Sequence, residues 1–294
     1  MVILFFYGDY IMTAEIDKRV KDAEILLRGI RLGMLTNSKN IEHKLYGTVA
    51  LDLKLVHDDS VLSMGTDGTN LYYNVDFVLG LTKEREKYAI DKLNQLKQLD
   101  LAQEEYDHQM KRIKIWYGHK NKETFEFLMR HEIDHVLYSH MERCETRDQQ
   151  LYNKACDHRI NLDIKNSWYK NTNILTAIPL FEMVCADVKY TDKKWTSFDI
   201  YEDLVNQSKS SQNQSKNAGD THIYGDGQSY GETQSDSVTR DILGLPTSFK
   251  TKGAQQGNPE DQSIASERMK NNFMETAKEL GIGEGNQIFK MLKL

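Results

Sequence analysis

The segment His131-Glu132-Ile133-Asp134-His135, with two histidines four residues apart, constrains this chain more than any other feature. An α-helix turns about 100° per residue, so the two imidazoles lie about 40° apart, one turn removed, and can converge on one metal ion. Glu132 follows the first histidine, where its carboxylate can reach a metal-bound water without binding the metal. The spacing predicts a helical zinc site with His131 and His135 as ligands and Glu132 as the base.

The apolar residues of the same helix support this interpretation. With His131 set at 0°, the large apolar side chains cluster at about 140–240°, on the opposite side; they are Met129, Ile133, Val136 and Leu137. The back of the helix is therefore expected to pack against a core while the front presents the histidines. Asp134 is a candidate for a contact with a ligand, but we favour an exposed position for it.

His140 is a third histidine in the segment, nine residues after His131. On a continuous helix it lies about 180° from His131, so a third ligand there would require the helix to break. Neither Tyr138 nor Ser139 is an obvious breaker. We therefore predict that His140 packs at the back of the helix, hydrogen-bonded to a carboxylate or a carbonyl.

The third ligand is expected on a second helix, predicted over 148–164 with Asp148 as its cap. Asn153, Asp157 and Asn161 recur every four residues and form one polar stripe. A polar stripe that faces inward needs partners, and a metal with its ordered waters supplies them. Asp157 is the natural ligand, with Asn153 and Asn161 orienting it or the substrate. His158 is the second candidate, since imidazole also suits zinc.

Towards the N-terminus, the pattern predicts a peripheral strand or an upstream-start extension over 1–11, then a helix capped by Thr13. Its apolar stripe is Ile16, Val20, Ala23, Leu27, Ile30 and Met34.

Alternating apolar residues then predict a strand over 49–55. Asp67-Gly68 between two β-prone runs predicts a hairpin. Residues 82–115, without proline or glycine, predict one long exposed helix or a helical excursion.

The second half contains a change of composition. A helix is predicted over 122–143, and from about 206 to 260 the chain is rich in Ser, Gln, Asn and Gly, which predicts a flexible linker or long loop. The remaining tail is helical again and ends at Gly281. Its predicted docking face is Ile264, Met269, Phe273, Ala277 and Leu280.

Charge and cysteine usage exclude several classes of protein. The net charge is −6 and no basic block stands out, so we expect no nucleic-acid partner. The apolar start of the chain is too short to span a bilayer. Three cysteines without a CxxC motif suit free thiols in a reducing compartment, so we expect a cytoplasmic protein.

Several segments together resemble a family of predicted bacterial and phage metallopeptidases encoded beside von Willebrand factor A proteins and MoxR-type ATPases. The resemblance covers most of 13–205 and reappears near 265–292. The matching segments are GTDGTNLYYNVDFV (Asp67, Gly68, Asn74, Phe77), HEIDHVLYSHMER (His131 to Arg143), YNKACDHRIN (Asn153, Ala155, Asp157, Asn161), FDIYEDL (Tyr201, Leu204) and ETAKELGIGEGNQIFKML.

The resemblance implies an α+β, zincin-like fold, in which a small mixed sheet packs on the active-site helix, with additional helices. By analogy with zincins, an edge strand near 69–78 would bind extended peptide. It also names candidate partners, a MoxR-type ATPase or a von Willebrand factor A protein, and the host cytoplasm if the chain is phage-encoded. Two features depart from the family: Val75 replaces the usual proline after Asn74, and 82–120 is a helical insertion.

The predicted organisation is an N-terminal extension (1–12), a metallopeptidase domain (13–205), a linker (206–260) and a docking C-terminal segment (261–294). The predicted activity is zinc-dependent hydrolysis, most simply of peptide bonds, with one zinc ion held by His131, His135 and Asp157 and with Glu132 as base. His158 and Arg143 are further candidates for contacts with ligands or substrate. The alternative is a non-catalytic binding module that works in an assembly with the ATPase or the von Willebrand factor A partner.

Overall fold

The structure, a computed structural model, describes residues 3–36, 41–167, 184–192, 194–210, 222–223, 229–230, 234–245 and 259–282. It is mostly helical with a small mixed sheet, as expected for an α+β protein. The helices are α1 (Ile3–Thr36), α2 (Ile41–Asp52), α3 (Val75–Leu79), α4 (Lys83–Gln98), α5 (Gln103–Ile115), α6 (Lys122–Leu137), α7 (His140–Arg143), α8 (Gln149–Ser167), α9 (Ser197–Ser210), α10 (Gln234–Leu243) and α11 (Pro259–Glu279). The strands are β1 (Lys54–His57), β2 (Met64–Thr66), β3 (Asn70–Tyr73), β4 (His222–Ile223) and β5 (Ser229–Tyr230).

The first helix is longer than predicted. α1 begins at Ile3 and runs through Thr13, so a strand over the first eleven residues is wrong and Thr13 is not the helix start. Four residues of the predicted stripe are buried as expected, namely Ala23, Leu27, Ile30 and Met34. They pack α1 against α2 where Gly47 makes the closest approach, because a Cβ there would lie 2.5 Å from the backbone nitrogen of Leu35.

The strand predicted over 49–55 is wrong for most of its length. Residues up to Asp52 belong to α2, and the strand begins only at Lys54. The same residues also fit a helical pattern, with buried Leu45, Tyr46, Val49, Ala50 and Leu53 spaced three or four apart. The helix forms because it buries all five of these residues in one core. Leu51, which the strand pattern would bury, is exposed.

The predicted hairpin is confirmed. β2 and β3 pair antiparallel around Asp67-Gly68, with Gly68 at φ +88° and the Asp67 carboxylate accepting the backbone N–H groups of Thr69 and Asn70. However, β3 also pairs with β1 in parallel, so it is the central strand of the order β1-β3-β2. An edge strand near 69–78 is therefore wrong, and the edges of this sheet are β1 and β2.

Val75 occupies a position that explains its replacement of proline. Asn74 is the N-cap of α3, with its Oδ1 accepting the N–H of Phe77 at 3.0 Å, so Val75 is the first residue of the helix. Proline is tolerated at that position because the first N–H has no partner within the helix. The cap is the same with either residue, so this departure leaves the local fold intact.

The segment 82–115 forms a helical hairpin, α4 and α5, rather than one long helix. Asp100 adopts φ +71° at the turn between them. The hairpin packs on α10, which lies within the predicted linker 206–260. That part of the linker prediction is wrong, because 234–245 is ordered by buried polar contacts. Arg112 and Asp236 form a buried ion pair at 2.6 Å, and Gln109 donates to the Ser235 carbonyl at 2.7 Å.

The helix α6 lies at the centre of the molecule. Asn121 caps its start by accepting the N–H of Thr124 at 3.0 Å. Every residue from Thr124 to Leu137 is buried, because α2, β2, α8 and α11 cover it on different sides. The back of the helix therefore packs as expected, but the front is covered as well, chiefly by α8.

The C-terminal helix α11 docks on α2 and α6 largely as predicted. Met269, Phe273 and Ala277 are buried, and Gly281 ends the helix region at φ +72°. Ile264 is 61% exposed and does not belong to the docking face. Among the described residues, none of the helices has the length and apolar character needed to cross a membrane.

Candidate metal centre

Three donor atoms from α6 and α8 converge inside the protein. Nε2 of His131 and Nε2 of His135 are 3.0 Å apart, and Oδ1 of Asp157 lies 3.6 Å from the first and 3.2 Å from the second. The two histidines are one turn apart on α6, and α8 crosses that face of the helix to deliver the carboxylate. All three residues are buried.

This arrangement fits a small tetrahedral metal ion. Ligand atoms about 2.1 Å from such an ion lie about 3.4 Å from one another, close to the three separations found here. Two imidazole nitrogens and one carboxylate oxygen are also a donor set typical of catalytic sites, which keep a fourth position open. The residues present therefore fit a metal centre in both chemistry and spacing.

Asn161 fixes the orientation of His131. Its Oδ1 lies 2.8 Å from Nδ1 of His131, and its Nδ2 donates to the backbone carbonyl of Cys185 at 2.9 Å. The amide must present its oxygen to the histidine, because its nitrogen is committed to a carbonyl that can only accept. Nδ1 of His131 therefore carries the proton, and Nε2 keeps its lone pair for a metal.

His140 lies next to His135, so its predicted position at the back of α6 is wrong. Ser139 adopts φ +53° and ψ +37°, which ends α6 and starts the short helix α7 in a new direction. Nδ1 of His140 consequently lies 3.2 Å from Nδ1 of His135, and its Nε2 lies 3.3 Å from Oγ of Ser197 at the start of α9. The helix break that the sequence gave no reason to expect is made by Ser139, a non-glycine residue in the left-handed region.

The C-terminal helix supports this break. Ser266 donates its hydroxyl proton to the carbonyl of Val136 at 3.2 Å, and the ammonium of Lys270 contacts the Ser139 hydroxyl. The Val136 carbonyl also accepts the backbone N–H of Ser139 at 3.0 Å, so Ser266 adds a second partner at the point where α6 ends. Contacts from α11, more than a hundred residues later in the chain, thus support the turn that places His140.

Glu132 is fully buried on α6, directly after His131. Since helical residues advance by about 100°, its side chain leaves the helix beside the converging imidazoles rather than among them. Glu132 is not one of the three residues whose donor atoms come together. Its location suits a group that acts next to a metal without binding it.

Asp134 is fully buried, so its predicted exposure is wrong. Tyr46 of α2 donates to its Oδ1 at 2.5 Å, and Nε of Arg130 lies 3.4 Å from its Oδ2. Burial raises the pKa of Asp134 to about 6. The guanidinium of Arg130 also stacks over the Tyr46 ring, 4.8 Å from its centroid, so this polar cluster joins α2 to α6.

The remaining candidates lie around the cluster rather than in it. Asn153 is buried one turn before Asp157 on α8. His158 is turned towards Tyr190: its Nδ1 accepts the N–H of Asp187 at 3.0 Å, and burial lowers the pKa of its imidazole to about 4. Arg143 is partly exposed on α7, three residues after His140.

Two contacts of the centre were missed by the sequence interpretation. Ser197 immediately precedes the FDIYEDL segment, but a lone serine gives no chemical signal. Cys185 contributes its backbone carbonyl, which no side-chain pattern reveals. The third histidine, His140, follows His135 at an interval of five residues, and only a break in the helix brings it beside His135.

A family model described as "Putative metallopeptidase domain" matches residues 116–294, more than half of the chain. The chain belongs to this family. The match contains every residue of the centre, from His131 to Ser197, whereas the α4–α5 hairpin lies wholly before it. Membership supports a metal-dependent peptidase without identifying the metal or the substrate. No curated protein and no solved structure matches the chain.

Proposed function

We propose that this protein is a zinc-dependent peptidase whose single ion is held by His131, His135 and Asp157. The observation that carries the proposal is the convergence of their three donor atoms, 3.0 to 3.6 Å apart, in a buried site of a metallopeptidase-family chain. Zinc suits this donor set, because it accepts imidazole and carboxylate ligands in a tetrahedral arrangement.

A zinc ion bound there would supply Lewis acidity, polarising the scissile carbonyl and lowering the pKa of a coordinated water to about 7. Glu132 would serve as the base that takes a proton from the attacking water and then passes it to the nitrogen of the leaving amine. Asn161 holds His131 in the tautomer whose Nε2 keeps its lone pair for a metal. The surrounding helices exclude bulk water, which strengthens each of these interactions.

The packing of β2 on α6 supports a zincin-like arrangement, in which an edge strand runs beside the active-site helix. We assign substrate binding to β2 rather than to the central strand β3, because only an edge strand can pair with an extended peptide. This assignment is an analogy at the level of the fold. The short strand β4 contacts β2, and β5 contacts α8, so these two short strands border the proposed substrate-binding edge.

The three buried free cysteines support a cytoplasmic location, where thiols stay reduced. A MoxR-type ATPase or a von Willebrand factor A protein remains the proposed partner, on the strength of the family resemblance alone. We assign such contacts to the α4–α5 hairpin, which lies outside the family match. The assignment is tested by co-purifying the partner with the wild type and with a variant in which exposed residues of the hairpin are substituted.

The proposed chemistry is tested by cleavage of a broad peptide library with the wild type and Glu132→Gln. Glu142→Gln is the matched control, because Glu142 is exposed on α7 and outside the centre. We expect Glu132→Gln to retain zinc and lose cleavage, while Glu142→Gln keeps both. Equal cleavage profiles for wild type and Glu132→Gln would contradict the peptidase and favour the non-catalytic binding module.

A further inference from the structure

The two nitrogens of the His135 ring face different surroundings. Nε2 faces the donor cluster, 3.0 Å from His131 and 3.2 Å from Asp157. Nδ1 faces away from it, 3.2 Å from Nδ1 of His140, with the two rings crossing at 73°. What His140 offers at this contact determines which nitrogen of His135 carries the proton.

The hydrogen bonds beyond His140 have one consistent direction. A ligand nitrogen must present a lone pair, so a ligating Nε2 requires the proton of His135 to be on Nδ1, which then donates to Nδ1 of His140. His140 therefore carries its own proton on Nε2 and donates it to Oγ of Ser197 at 3.3 Å.

We propose that His140 is a positioning residue for His135, and that Ser197 holds His140 in the tautomer that this role needs. The inference rests on the proposed metal centre. It assigns to His135 what Asn161 provides for His131, an acceptor at Nδ1 that leaves Nε2 free to bind metal. Acceptors of this kind raise the basicity of a histidine ligand and fix the plane of its ring.

The same geometry argues against His140 as a fourth ligand. Its Nδ1 is directed at Nδ1 of His135, the nitrogen on the far side of that ring from the cluster, and its Nε2 is directed at Ser197. Both ring nitrogens are therefore engaged away from His131 and Asp157. The donor group that comes together consists of His131, His135 and Asp157.

The test measures metal affinity rather than activity. Zinc and Co²⁺ dissociation constants are determined by chelator competition for the full-length wild type, His140→Phe, His140→Asn and the control His119→Phe, whose histidine is exposed. Phenylalanine preserves the ring but cannot accept a hydrogen bond. Asparagine places an oxygen near the position of Nδ1 and can accept one. The Co²⁺ visible spectrum reports whether the coordination number changes.

We expect His140→Phe to weaken metal binding by about 10- to 100-fold without changing the Co²⁺ spectrum, and His140→Asn to recover most of the loss. His119→Phe should match the wild type. Equal affinities for His140→Phe and the wild type would overturn the inference. So would a changed Co²⁺ spectrum in both His140 variants, because that result makes His140 a direct ligand.

Two further measurements keep the inference testable. If His140→Phe does not fold, Ser197→Ala removes the acceptor for Nε2 of His140, and we expect metal affinity to fall by up to about tenfold. An unchanged affinity in that variant would overturn the inference. A wild type that binds neither metal would overturn the proposed function and the inference with it, which is a different result from unchanged variants of a metal-binding protein.

Discussion

The side-chain amide of Asn161 bridges Nδ1 of His131 and the backbone carbonyl of Cys185, at 2.8 and 2.9 Å. It thereby ties the orientation of one proposed ligand to a chain segment 24 residues later. Asn161→Leu preserves the volume of the side chain but removes both hydrogen bonds. We expect metal affinity to fall by about 10- to 100-fold, because His131 loses its fixed tautomer.

Chelator competition with zinc measures this effect, and thermal unfolding of the metal-free variant checks that it folds. Gln207→Leu on α9 is a suitable control, since it removes an amide that donates to Tyr190 and Asp203. A Kd for Asn161→Leu equal to the wild-type value would mean that Asn161 serves the fold and not the centre.

Gly47 and Gly29 offer a matched pair of helical glycines. A Cβ at Gly47 would lie 2.5 Å from the Leu35 nitrogen, whereas a Cβ at Gly29 meets no atom within 4 Å. We expect Gly47→Ala to lower the free energy of unfolding by about 1–3 kcal/mol, because α1 and α2 must separate. Gly29→Ala should raise it by up to about 1 kcal/mol through helix propensity. Urea unfolding measures both, and similar values for the two variants would contradict the close packing of these helices.

The ion pair between Arg112 and Asp236 holds α10 on the helical hairpin. Both side chains are buried, so Asp236→Asn leaves an uncompensated guanidinium and should cost about 3–5 kcal/mol of stability. Asp241→Asn is the control on the same helix, since Asp241 pairs with Lys92 at an exposed site and should cost less than about 1 kcal/mol. Equal costs in urea unfolding would indicate that α10 does not depend on the buried pair.

His43 should make stability depend on pH. Burial lowers the pKa of this histidine to about 4, with the charges of Arg130 and Lys122 acting in the same direction. A lowered folded pKa means that stability is fully present above about pH 6.5 and is lost as the pH falls towards 4. Between pH 7 and pH 4.5 the loss from this group is about 1–2 kcal/mol, because the side chain is partly exposed and solvent screens its charge.

The comparison that isolates His43 is the unfolding free energy of the wild type minus that of His43→Gln at the two pH values. We expect this difference to shift by about 1–2 kcal/mol, with the wild type destabilised relative to His43→Gln at pH 4.5. The neighbouring Glu126 titrates in both proteins, so most of its contribution cancels. A difference that stays constant with pH would mean that the pKa of His43 is the same in the folded and the unfolded protein.

The local chemistry of the centre could be predicted from the sequence because it depends on helical periodicity. The spacing of His131 and His135, and the stripe through Asp157, each need only 3.6 residues per turn. The position of His140 could not, because it depends on Ser139 adopting a left-handed conformation that contacts with α11 support. Single-residue breaks of this kind have no local signature when the residue is not glycine.

The errors in the fold have similar causes. Residues 45–53 satisfy both a strand and a helix pattern, and only the core into which they pack decides between them. The helix α10 was interpreted as linker because its composition is polar. Its burial comes from contacts with Arg112 and Gln109 on α5. Composition within a segment carries no information about a partner that lies more than 120 residues away in the sequence.

We propose that His131, His135 and Asp157 bind one metal ion. The decisive measurement is the zinc content of the gently purified wild type, of Asp157→Asn and of Asp91→Asn, whose aspartate is exposed on α4. We expect one zinc per chain in the wild type and in Asp91→Asn, with a large loss in Asp157→Asn. A wild type without stoichiometric zinc, or an Asp157→Asn variant with full occupancy and unchanged affinity, would contradict it.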